Sequence, residues 1–124
     1  MSTANEQVVI DFFHAFDKLD LEEALSCLTE DCVHDDKPVG RHEGTAAIRE
    51  FFAPQMEQLE SFRAELKDTV SVGNMVMNER VDWIGLKGGK KAELPVMAAF
   101  EIKGGKIAVW RDYYDMASFQ KQIG

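Results

Sequence analysis

At 124 residues, 45% hydrophobic and 29% charged, the chain has room for one hydrophobic core and is expected to form a single domain over 1–124. A net charge of −8, with no cluster of Lys or Arg, argues against nucleic acid and against anionic membrane surfaces. No apolar run approaches the roughly 20 residues that span a bilayer, and the start Met-Ser-Thr-Ala-Asn-Glu-Gln lacks the basic and apolar parts of a signal peptide, so a cytoplasmic protein is expected.

The first half reads as helices. Val8, Val9, Phe12, Phe13 and Phe16 form one apolar stripe at helical spacing, which predicts a helix over 4–18. Asp20 followed by Glu23 resembles a capping box opening a short second helix, whose apolar face is Leu21, Ala24, Leu25 and Leu28. A loop or short strand is expected from Cys32 to Pro38. Gly44-Thr45 then starts a third helix carrying Ile48, Phe51 and Phe52, bent or ended near Pro54.

The second half reads as strands. Phe62 to Val72 alternates, and further strands are predicted over 75–86, 91–102 and 106–115, followed by a helix over 116–122. Gly73-Asn74, Gly88-Gly89 and Gly104-Gly105 punctuate them, and the last two are two-residue hairpin signals. Helices followed by a meander indicate an α+β fold, with helices on one face of a curved, mainly antiparallel sheet.

The turns carry a sharper expectation. A two-residue turn at Gly88-Gly89 pairs Lys87 with Lys90, and so sets Arg80 opposite Met97 and Asp82 opposite Pro95. A two-residue turn at Gly104-Gly105 pairs Lys103 with Lys106, and sets Met97 opposite Asp112. Opposed residues share a face, as do residues two apart on a strand. Arg80, Asp82 and Asp112 are therefore expected on one face, with Met97 between the outer two and Val76, Ile84, Ala99 and Trp110 around them. The other face takes Val81, Trp83, Val96, Ala98, Phe100 and Val109. A sheet apolar on both sides needs two covers: helices on one, and a second subunit on the other, making a homodimer through the sheet face. At Gly73-Asn74 a two-residue turn would put Phe62 and Leu66 opposite the Arg80 face, and a three-residue loop would reverse that.

Cys27 and Cys32 lie outside any Cys-x-x-Cys motif and read as small buried hydrophobes. His34 and His42 lie near Asp35 and Asp36 without zinc-like spacing, so no metal is expected, and no glycine-rich cofactor loop is present, so no cofactor is either. Trp110, Phe51 and Met97 read as core or pocket wall around a small hydrophobic substrate.

Asn78-Glu79-Arg80-Val81-Asp82, Leu94-Pro95-Val96-Met97 and the run Gly105 to Asp115, containing Trp110-Arg111-Asp112-Tyr113, resemble the limonene epoxide hydrolase family. The resemblance implies the NTF2-like, or SnoaL-like, fold: a cone of helices over a strongly curved sheet. It implies cofactor-independent epoxide hydrolysis without a covalent intermediate, with Asp82 as general acid, Asp112 as base and Arg80 bridging them. That family places a Tyr and an Asn, two apart, to hold the attacking water; the corresponding positions here are His34 and Asp36, a departure at the water site. An ionised Asp36 only accepts hydrogen bonds, whereas an amide also donates. Two other functions fit the same pocket. One is proton transfer without hydrolysis, by an isomerase, dehydratase or cyclase, for which His34 is suited. The other is a non-enzymatic ligand-binding or assembly domain.

Overall fold

The computed structural model describes residues 2–124. Helix α1 (Ala4–Asp17) opens with a full capping box: Thr3 Oγ1 accepts from the Glu6 backbone, and the Glu6 side chain accepts from the Thr3 backbone. Of its predicted stripe, Val9, Phe12, Phe13 and Phe16 are buried and Val8 is half-buried at the edge of the core. Helix α2 (Leu21–Leu25) is capped by Asp20, whose carboxylate accepts from the Glu23 backbone at 3.0 Å. The Glu23 side chain turns instead to Lys18, so only half of the expected box forms.

The segment expected as a loop or short strand is the nine-residue strand β1 (Leu28–Asp36), which makes a hairpin with β2 (Gly40–Glu43). Helix α3 (Thr45–Glu57) runs through Pro54 to Glu57. There follow β3 (Leu59–Val72), β4 (Met75–Leu86), β5 (Lys91–Lys103), β6 (Lys106–Tyr113) and α4 (Met116–Ile123). The strands form one open sheet in the order β2-β1-β6-β5-β4-β3, antiparallel throughout except where β1 lies parallel to β6. The α+β expectation holds. Among the described residues no helix is long and apolar enough to cross a membrane.

The register differs from the sequence reading at both hairpins. At the first, Leu86 bonds to Lys90 and Gly85 pairs with Lys91, so the connection has three residues, not two. Lys87 is drawn out of the ladder because its N–H donates to the Gln58 carbonyl at the end of α3, 2.9 Å away. Arg80 therefore pairs with Val96, and Asp82 with Leu94. At the second, Lys103 does pair with Lys106, but Ala108 is an extra residue in β6, and beyond it Asp112 pairs with Ala98. The two one-residue shifts compensate. Val96 and Ala98 are two apart, so Arg80, Asp82 and Asp112 still share a face.

Met97 does not share it. It pairs with Glu79 and Tyr113 on the outer face and is 49% exposed, so its assignment to the pocket wall is corrected. Ala99 likewise belongs to the outer face, and Val96, Ala98 and Phe100 move to the inner one. The Gly73-Asn74 turn has two residues, since Val72 pairs with Met75; an extra residue at Lys67 then reverses the alternation and brings Phe62, Ala64 and Leu66 to the Arg80 side. Against that inner face α1, α2 and α3 pack the main core, with Phe12, Phe13, Phe100, Ile48 and Ile107 among its buried side chains.

Candidate active site

Between the helices and the inner face lies a cavity of about 520 Å³, mostly apolar, with the ionisable groups at its sheet side. Arg80 is the centre of that group. Position 80 is an inward site of β4, and its guanidinium is 4.4 Å from the centre of the Phe13 ring of α1, a cation–π contact. Arg80 Nε and Nη2 donate to the two oxygens of Asp82 at 2.8 and 3.2 Å. Nη1 and Nη2 donate to the two oxygens of Asp112 at 3.1 and 3.0 Å. One planar cation thus makes two bidentate pairs, a geometry that suits guanidinium and not ammonium.

The two carboxylates are unequal. Trp110 Nε1 donates to Asp112 Oδ1 at 2.8 Å, so Asp112 accepts three bonds and Asp82 accepts two, both from Arg80. Burial pushes the Asp82 carboxyl above the usual carboxylate range, with Arg80 opposing and Asp112 reinforcing that shift. Burial also works against the charge of Arg80, but Asp112 and Asp82 together outweigh it and hold the guanidinium firmly protonated.

The parallel pairing of β1 with β6 supplies the remaining polar groups. It sets His34 beside Trp110 and Asp36 beside Asp112. His34 is fully buried, its ring 4.0 Å from that of Trp110, and neither ring nitrogen has a hydrogen-bond partner. Burial drops its pKa to about 4, with Asp112 opposing and His42 and Arg80 adding to the fall, so His34 is neutral at pH 7. Asp36 is raised to about 6 by burial; the Tyr114 hydroxyl and Arg80 favour its charged form, while Asp112 and Asp35 disfavour it. Its Oδ1 is buried and unpartnered.

Arg80, Asp82, Asp112, His34, Asp36, Phe51 and Trp110 all line the cavity. Of the residues singled out from sequence, Met97 alone does not. Tyr114, to which the sequence reading assigns no role, also lines the cavity and stands two beyond Asp112 on the same alternation. Phe13, Phe16 and Phe52 also line the cavity and carried only a core signal in the sequence. Helix α4 closes one side with Met116, Phe119 and Ile123, held by Gln122 bonding both ways to the Glu93 backbone at 2.8 and 2.9 Å. Among the described residues, no three His, Cys, Asp or Glu side chains converge so as to hold a metal ion.

Helices over one face of an open, curved, mostly antiparallel sheet, enclosing a cavity with buried ionisable groups, define an NTF2-like protein. The chain belongs to the SnoaL-like domain family, which matches residues 9–110. Its backbone is similar to that of an LEH-like epoxide hydrolase from M. tuberculosis, with TM-score 0.86, 22% identity, and 98% and 90% of the two chains covered. It is equally similar to TerC co-crystallised with polyporic acid, with TM-score 0.86, 21% identity and 98% of each chain covered. A candidate polyketide cyclase from Pseudomonas putida KT2440 matches over 100% of both chains, with TM-score 0.80 and 27% identity.

Proposed function

We propose that the cavity is the active site of a cofactor-independent epoxide hydrolase that adds water in one step to a small hydrophobic epoxide. The observation that carries this reading is Arg80 bridging two buried carboxylates with unequal surroundings. Opening an epoxide needs a proton at the departing oxygen and a proton acceptor for the attacking water. Asp82, favoured in its acid form by burial, supplies the first. The acidic end of the cavity, Asp112 with Asp36 beside it, draws the second. Arg80 balances the charge that moves between them. The apolar walls hold the hydrocarbon part and keep bulk water away from the ring.

Small cyclic and aryl epoxides, followed for diol by mass spectrometry, test the reading, with Asp112→Asn as control. Diol that vanishes in the variant supports it. No diol from any epoxide, with the wild-type protein folded, refutes it.

His34 and Asp36 favour a second reading, proton transfer without hydrolysis by an isomerase, dehydratase or cyclase. A neutral histidine with both nitrogens free, and a carboxyl near 6, suit proton shuttling near neutral pH. Reaction in ¹⁸O-labelled water separates the two, since only a hydrolase leaves the label in product.

A further inference from the structure

The oxygens of Asp112 are already engaged. Both bonds to its Oδ1 are taken, by Arg80 Nη1 and Trp110 Nε1, and its Oδ2 accepts from Arg80 Nη2. Asp112 thus accepts three bonds, one more than Asp82, and is held fast between Arg80 and Trp110. Asp36, its neighbour across the β1–β6 pair, makes no bond to Arg80 and has a buried oxygen with no partner, in the wall of the same cavity. A buried acceptor without a donor is the exception among native polar groups and calls for one.

We propose that Asp36 is a further catalytic residue, the carboxylate that receives the proton of the attacking water, with Tyr114 as its positioning residue. This rests on the acid–base reading above and assigns its acceptor. Asp112 then keeps Arg80 and Trp110 in place. Water between Asp36 and His34 donates one hydrogen to Asp36 Oδ1 and the other to the unprotonated nitrogen of His34. As the water oxygen bonds to the ring carbon, its proton passes to Asp36. The ring C–O bond breaks, and Asp82 gives its proton to the departing oxygen. The diol leaves with Asp36 protonated and Asp82 ionised, and exchange with solvent restores both.

The groups acting on Asp36 are Asp112 and Tyr114 from β6 and the residue just beyond it, Arg80 from β4, and Asp35 from its own strand. Helices α3 and α4 bring no charged side chain to the cavity wall. Its resulting pKa of about 6 suits a base working near neutrality.

The experiment compares wild type, Asp36→Asn and Tyr114→Phe over about pH 5–8 on an aryl epoxide. In parallel, an enolisable aryl ketone in D₂O reports proton removal alone. Asp36→Asn is expected to lower kcat about 100-fold or more, with little change in KM, and to abolish the acid limb near pH 6. Tyr114→Phe is expected to lower kcat by less than Asp36→Asn does and to move that limb to higher pH, because the hydroxyl that favours the carboxylate is gone. Deuterium uptake without diol in the wild type ends the hydrolase reading; loss of that uptake in Asp36→Asn then keeps Asp36 as the proton acceptor, and its persistence overturns the assignment. Asp36→Asn within about tenfold of wild type, with the limb in place, overturns the assignment. So does a wild type that performs neither reaction. If Asp36→Asn does not fold, an unmoved limb in Tyr114→Phe overturns it.

Discussion

Replacing His34 by phenylalanine keeps an aromatic ring against Trp110 and removes one titrating group. A histidine whose folded pKa lies below its unfolded value binds its proton less readily when folded, so stability appears as pH rises through that interval. For His34 the interval runs from about 4 to 6.5, and at about 1.4 kcal/mol per pKa unit it amounts to about 3 kcal/mol. Asp36 works the other way. Its folded pKa of about 6 lies above its ordinary 3.8, so the folded protein holds the proton longer, and about 3 kcal/mol is lost as pH rises between those values. In the wild type the two largely cancel. In His34→Phe the rising contribution is gone, so its stability relative to wild type should fall by about 3 kcal/mol between pH 4 and 6.5. In Asp36→Asn the falling contribution is gone, so its stability relative to wild type should rise by about as much between pH 4 and 6. Urea unfolding at half-unit pH steps measures both. Differences that stay flat within about 0.5 kcal/mol across the interval would refute the reasoning.

Arg80→Met should destabilise the fold by about 3–5 kcal/mol, because it leaves Asp82 and Asp112 buried without their cation. A melting temperature lowered by roughly 10–20 °C is expected, and an unchanged one would remove Arg80 from its structural role. On the outer face, Met77, Trp83, Met97 and Tyr113 are exposed while the helices cover the opposite side. We propose that a second copy of this chain covers that face, whose exposed apolar side chains stand among Arg63, Glu79, Glu93 and Arg111, charges of both signs that a second copy could pair. Sedimentation at micromolar concentration should show a dimer that Met97→Lys converts to monomer; monomer alone in the wild type would end the idea.

Much of this fold is written in local pattern. The α1 stripe, the glycine turns and the strand alternation are each short-range signals, and each element they predict is present. Local pattern fails where a distant residue intervenes. Lys87 leaves the ladder because of Gln58, a partner no turn rule contains. The extra residues Lys67 and Ala108 carry no glycine or proline to mark them. Arg80, Asp82 and Asp112 share a face in both the expected and the observed register because two one-residue shifts offset each other, whereas Met97, which lies between the shifts, changes face. Strand β1 was hard to see because its inward residues include His34 and Asp36, polar groups at buried positions. Their polarity, which hid the strand, is what makes it part of the site.

The bulge at Ala108 bears on how relatives of this chain should be compared. Inward positions on the far part of β6 are counted from that extra residue and not from the Gly104-Gly105 turn. One residue gained or lost there would turn Trp110 and Asp112 outward and bring Val109 and Arg111 in, with every side chain still encoded. Spacing between Ile107 and Asp112 is therefore a stricter mark of shared chemistry than the identity of any single residue in the turn. A relative that keeps the Trp-x-Asp motif but differs in that count holds the letters of the site without its geometry.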